Sequence, residues 1–212
     1  MSGSGFGRRG FVAWASVAAA GSGMGVVRGQ ETAPQSDPQA TPGSQQPAAA
    51  GPTEAAFERD YEAPKFRPSW KKEQISRLLL QDFVIFAHSE LEMTQKLLDR
   101  EPGLLNGAVD WGGGDFETAL GGASHMGRRD IVNFLLERGA RIDVFAAAML
   151  GQLDAIRSFL TLQPALIDAK GPHGFGLHFH AQVGGDEAKP VLEYLQSIKQ
   201  VELKPVPFLK KK

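Results

Sequence analysis

Beyond residue 70, apolar residues recur at helical spacing through most of the chain. Trp70, Ile75, Leu78, Leu79, Phe83 and Phe86 keep a mostly three-to-four step, and neither Pro nor Gly interrupts the stretch from Trp70 to Glu101. The pattern predicts a helix opening near Ser69, whose hydroxyl can cap it. Ile131, Val132, Leu135 and Leu136 mark the buried stripe of another helix, with Gly139 placed to end it. The earlier chain reads differently. Phe11 to Ala20 is a short apolar run broken only by Ser16, and from Gln30 to Ala56 no large apolar residue occurs.

The helical stretches repeat. Residues 91–108, LEMTQKLLDREPGLLNGA, align with 153–170, LDAIRSFLTLQPALIDAK: Leu91 falls on Leu153, Leu98 on Leu160, Pro102 on Pro164 and Leu104 on Leu166. Phe83 falls on Phe145 at the same offset of 62, near two units of a repeat of about 33 residues. Between them lies TALGGASHMGRRDIVNFLLERGARID, Thr118 to Asp143. Thr118 can cap a first helix. Ala123 is small where two antiparallel helices cross, and Gly127 supplies the tight turn between them.

This unit resembles the ankyrin repeat. Thr118, Leu120, Ala123, Gly127, Ile131, Val132, Leu135, Leu136, Gly139, Ala140, Ile142 and Asp143 fall on the family pattern in register. Ala119, Gly121 and Ser124 depart from it. The resemblance covers roughly residues 80–200. It implies an all-α solenoid of about four degenerate helix-turn-helix units, stabilised by stacking. Their turn positions are 90, 127, 151 and 185, with Glu90 in place of the first turn glycine. The spacings of 37, 24 and 34 residues are uneven. Asp143 runs almost directly into Phe145, so one inter-unit finger is missing, whereas Asp110 to Phe116 makes another link longer. Pro190 suits the start of the last helix.

The resemblance further implies a protein-binding scaffold using inner helices and inter-repeat loops. The contact residues expected on that basis are Asp110, Trp111, Asp115, Phe116, His125, Met149, His173 and Phe175. The segment Asp110-Trp111-Gly112-Gly113-Gly114-Asp115-Phe116 is the least expected one. Its glycines allow backbone to approach a ligand or form a loop tip, and its Trp is either a binding anchor or packs back on the helices. The histidines offer a second chemistry. His173, His178 and His180 lie within eight residues. An extended His178-x-His180 could chelate a divalent metal, with His125 or Asp115 completing the shell. His88 and His125 occupy the same place in their units, just before the turn, which favours a structural role for both.

No catalytic motif is present: there is no G-x-S-x-G, no H-E-x-x-H and no phosphate-binding G-x-x-x-x-G-K-[ST]. No cofactor is called for on the scaffold reading. An enzyme or metal-binding protein on the same scaffold is the alternative. The absence of Cys excludes disulfides, cysteine-ligated metals and a thiol nucleophile. With 23 basic and 24 acidic residues the chain lacks the positive excess of a general nucleic-acid binder.

Residues 1–29 carry Arg8, Arg9 and Arg28 and no acid, ahead of and around the apolar run. That is the layout of an export signal, too short and too rich in Gly, Ser and Ala for a permanent span. Arg8-Arg9-Gly10-Phe11-Val12 resembles the bacterial twin-arginine translocation signal, with an ordinary secretory signal as the alternative. The expected destination is periplasmic or extracellular. Removing residues 1–29 leaves 20 basic and 24 acidic residues. The expected organisation is a signal at 1–29, a Pro/Gln/Ala-rich disordered spacer at 30–68, an ankyrin-like domain at 69–200 and a basic tail at 201–212. The expected partner is a protein, with no nucleic acid and no stable membrane span.

Overall fold

The computed structural model describes residues 54–66, 69, 72–206 and 208–209. The expected export signal and most of the expected spacer lie outside the described residues. Residues 54–66 form neither helix nor strand and are exposed.

The described chain is mostly helical, in four consecutive pairs. They are α1 (Arg77–Ala87) with α2 (Leu91–Arg100), α3 (Ala119–His125) with α4 (Arg129–Glu137), α5 (Val144–Met149) with α6 (Leu153–Leu162), and α7 (Leu177–Val183) with α8 (Lys189–Ile198). The first helix begins later than its apolar pattern predicts. Ser76, rather than Ser69, caps α1, its hydroxyl accepting from the Leu79 N–H at 3.4 Å. Residues 72–76 are not helical, and Ile75 packs instead against Gly103.

The caps and turns follow from residue type. Thr118 Oγ1 accepts from the Gly121 N–H at 3.1 Å, and Asp143 Oδ1 accepts from the Ala146 N–H at 2.7 Å. Gly127 and Gly151 adopt φ of 67° and 79°, a left-handed conformation that lets each helix reverse into its partner. Pro190 sits in the first turn of α8, where a missing N–H costs nothing.

The first helices of the pairs lie side by side in the order α1, α3, α5, α7, with each second helix behind its partner. The links differ. Between α2 and α3 a short antiparallel hairpin projects, β1 (Ala108–Asp110) and β2 (Phe116–Thr118), pairing Val109 with Glu117. Between α4 and α5 there is no hairpin, because Asp143 caps α5 directly. Between α6 and α7 the link narrows to one bridge, Lys170 to Gly176, around the turn Pro172–Gly174.

The row of first helices curls. α5 is only six residues long and carries Ala146, Ala147 and Ala148, so α3 and α7 also touch each other across it. Arg129 fastens this closure: its guanidinium donates to the carbonyls of Met149 at 3.1 Å and Gly184 at 3.2 Å, and pairs with Glu187. A Cβ on Gly127 would lie 2.7 Å from the Val183 carbonyl oxygen, so the second and fourth turns meet at backbone contact. Every residue of α3 is buried as a result. Phe83, Leu98, Leu104, Leu120, Ile131, Leu135 and Met149 form one core, and Ile156, Leu160, Leu177, Val191 and Leu195 the other. Among the described residues no helix is long and apolar enough to cross a membrane.

Candidate metal centre

The curl brings polar groups from distant parts of the chain to one point. His88 caps the end of α1 and His125 ends α3. These positions are equivalent in successive pairs, so stacking sets the rings side by side, with centroids 4.9 Å apart. Gly122 makes room, since a Cβ there would lie 2.7 Å from His88 Cε1. Glu117 enters from β2. Alternation along the strand turns Phe116 outward and Glu117 inward, where its side chain is fully buried. His173 arrives from the turn between α6 and α7, its ring 5.3 Å from that of His125.

Glu117 sits between the three imidazoles. His125 Nδ1 is 3.1 Å from Oε1, while His88 Nε2 and His173 Nε2 are 3.3 Å and 3.5 Å from Oε2. One donor atom from each of the four residues lies within 4.8 Å of every other. The Glu117 Oε1 and His125 Nδ1 atoms are buried, and their approach lacks hydrogen-bond geometry. Neither has a hydrogen-bond partner among the described residues.

The outer atoms of the site are held. His88 Nδ1 is 2.8 Å from the Val84 carbonyl oxygen. That oxygen only accepts, so a proton sits on Nδ1, and in the neutral ring the lone pair is on Nε2, facing the centre. His173 Nδ1 stands 2.9 Å from Asp115 Oδ2, with the same consequence. Trp111 Nε1 donates to Glu117 Oε2 at 2.8 Å. Asp110 shapes the hairpin tip, its Oδ1 accepting from the Gly112 and Gly114 N–H groups at 2.9 Å and 3.1 Å. A metal-ligating histidine usually donates its other ring N–H to a carboxylate or carbonyl, and His88 and His173 meet that requirement.

The electrostatics keep Glu117 ionised, its ligating form, but favour the protonated form of His88, so a bound cation would compete with a proton there. Burial pushes the Glu117 carboxyl up, but the imidazoles of His125 and His88 outweigh it and hold the group well below the usual carboxylate range. Burial also pulls His88 down, and the Glu117 carboxylate with the Val84 and Ile85 carbonyls more than offsets this, so its pKa is raised.

The His178–His180 pair does not join this centre. The segment is helical rather than extended, so residues two apart point to different sides. His178 Nε2 is 2.8 Å from the Lys199 carbonyl oxygen, and His180 Nδ1 is 2.9 Å from the Gly176 carbonyl oxygen. His173 alone of that trio lies at the cluster, with Asp115 behind it.

Of the residues expected to contact a partner, Asp110, Trp111, Asp115, His125 and His173 form or support the cluster. Phe175 flanks it, its ring 5.4 Å from that of His125 and stacked on Phe179 at 4.1 Å. Met149 is fully buried in the core and presents no surface. Phe116 faces solvent, 63% exposed. Sequence reasoning missed His88 and Glu117 as members. The equivalent placement of His88 and His125 was the signal for the first; Glu117, one residue before a helix cap, carried none.

No family model, no curated protein and no solved structure matches this chain.

Proposed function

We propose that the protein binds a divalent first-row transition-metal ion through His88, Glu117, His125 and His173. One observation carries this reading: Glu117 Oε1 and His125 Nδ1 are buried and unpartnered, beside two imidazoles whose Nε2 atoms stand 3.3 Å and 3.5 Å from the same carboxylate. Leaving such atoms unsatisfied costs about 1–3 kcal/mol each, more for a charged group, and a bound cation would satisfy both. Four donors around an ion at about 2.0–2.2 Å stand roughly 3.3 Å from one another in a tetrahedron, close to the contacts made by Glu117. Three imidazoles and one carboxylate suit zinc, iron, cobalt or nickel better than calcium or magnesium, which take oxygen shells.

The helix pairs are read as degenerate ankyrin units, on the residues of Thr118 to Asp143 that fit that pattern. Export by a twin-arginine route is proposed from Arg8-Arg9 and the apolar run that follows. A second reading, protein binding at the hairpin, is favoured by Phe116, a large apolar side chain turned to solvent on a projecting strand.

Elemental analysis of untagged protein tests the metal reading. The expected result is close to one ion per chain, lost when His88 and His125 are both replaced by Ala. Metal-free protein that takes up no zinc, cobalt, nickel or ferrous iron on dialysis would overturn it.

A further inference from the structure

The four donors are not equally enclosed. The Glu117 side chain is 0% exposed and that of His125 4%, against 23% for His88 and 35% for His173. Solvent therefore reaches the centre from the His88 and His173 side. The inner donors also stand on the firmer parts of the fold. His88 and His125 end core helices, and Glu117 lies in a paired strand beneath the Trp111 indole.

His173 differs in its support. It occupies the tip of the turn Pro172–Gly174, beyond the single bridge of Lys170 to Gly176. Its φ is 57°, a left-handed conformation unusual for a residue with a side chain. Such strain persists where neighbouring contacts hold it in place. Here the polar contacts come from Asp115. Its Oδ1 accepts the His173 backbone N–H at 2.9 Å, and its Oδ2 stands 2.9 Å from His173 Nδ1. Asp115 itself follows Gly112, Gly113 and Gly114, all at positive φ, on the hairpin tip. Two loops thus meet through Asp115 and His173, beside the Trp111 ring, over the exposed edge of the centre.

We propose that the bound ion is exchangeable cargo rather than a fixed structural ion, and that it passes in and out beside His173. Asp115 acts as a positioning residue that latches this outermost donor. This inference rests on the metal-binding reading above. When the latch opens, His173 leaves and the ion stays on His88, Glu117 and His125, with one side open to a competing ligand. An incoming nitrogen or oxygen chelator then adds to the ion before the inner donors let go. No bond other than metal–ligand bonds is made or broken, and the ion keeps its charge.

Transfer kinetics test the latch. Full-length protein loaded with zinc is mixed with excess of a chromogenic pyridylazo chelator, and the release rate is followed for wild type, Asp115→Asn and His173→Ala. Release from wild type is expected to complete while the protein remains folded, as judged by circular dichroism. Loss of a residue behind a metal-bound histidine typically weakens affinity about ten- to a hundredfold, and with that loss falling on dissociation Asp115→Asn is expected to speed release by the same factor. His173→Ala should release faster still, yet retain one ion on three donors. Cobalt-loaded Asp115→Asn should also show shifted ligand-field bands while the metal-free variant melts like the wild type, which separates positioning from a general loosening of the fold. Equal release rates in all three proteins would overturn the latch. Wild type that yields its ion only on unfolding would overturn exchange. In both of those cases the ion is bound, so metal binding itself survives; failure to bind any ion brings down both readings.

Discussion

Glu117 Oε1 and His125 Nδ1 face each other at 3.1 Å in the protein interior without completing a hydrogen bond. Strand β2 delivers the one and helix α3 the other, eight residues apart in sequence. Two polar atoms held so close and left unpartnered make sense when a third body lies between them and the imidazoles of His88 and His173.

Glu117→Gln removes the charge of the carboxylate while keeping its shape. Wild type should gain melting temperature on addition of zinc, since a ligand at a thousand times its dissociation constant stabilises by about 4 kcal/mol. The variant should show little of that gain in the same thermal scan. An equal zinc-dependent rise in the two proteins would remove Glu117 from the ligand set.

Trp111→Phe keeps an aromatic ring at the hairpin but takes away the N–H that holds Glu117 Oε2. A hydrogen bond to a charged acceptor contributes about 1.5–3 kcal/mol. Zinc affinity by competitive titration is expected to fall roughly ten- to a hundredfold. Unchanged affinity would mean that the Glu117 carboxylate is oriented without the indole.

Gly122→Ala sets two effects against each other. Alanine in a helix interior is favoured over glycine by about 1 kcal/mol. The new Cβ would lie 2.7 Å from His88 Cε1, and overpacking costs about 1–3 kcal/mol. Stability of the metal-free protein should therefore change by no more than about 2 kcal/mol, whereas the displaced His88 ring should weaken zinc binding by roughly tenfold or more. Chemical denaturation and zinc titration on the same samples separate the two. Full zinc affinity in the variant would show that His88 does not need its present seat.

His180, which lies outside the proposed ligand set, gives the fold a dependence on pH. Burial pulls its pKa down to about 4, against partial support from the Gly176 carbonyl, and the nearby His125 lowers it further. The unfolded chain protonates this residue near 6.5, so below that pH the unfolded state binds more protons than the folded one. Stability is full above about 6.5 and falls as the pH drops toward 4, by roughly 3 kcal/mol in all. Urea denaturation of metal-free protein should show this loss, and His180→Leu should flatten it. A slope unchanged in the variant would place the titrating group elsewhere.

The helices were legible because their cores are periodic and their turns chemical. Ile131, Val132 and Leu135 are buried on α4, Gly127 and Gly151 reverse the chain, and Gly139 ends α4 at a φ of 92°. The start of α1 is not legible in the spacing, which runs back to Trp70 although the cap is Ser76. The curl was not legible. It depends on the shortness of α5 and on Arg129 reaching from α4 to the turn after α7, which no local pattern records. The site suffered most from this. Local spacing favours His178-x-His180, but both residues lie within α7, whose helical geometry turns them to different sides. The groups that do meet come from residues 88, 117, 125 and 173, and the stacking of the pairs, the hairpin and the turn before α7 together bring them to one point.

Anomalous diffraction from zinc-loaded crystals, recorded on either side of the zinc absorption edge, tests the central claim most directly. The predicted result is one strong peak about 2.0–2.2 Å from His88 Nε2, His125 Nδ1, His173 Nε2 and a Glu117 carboxylate oxygen. A peak elsewhere on the chain, or none, would contradict it.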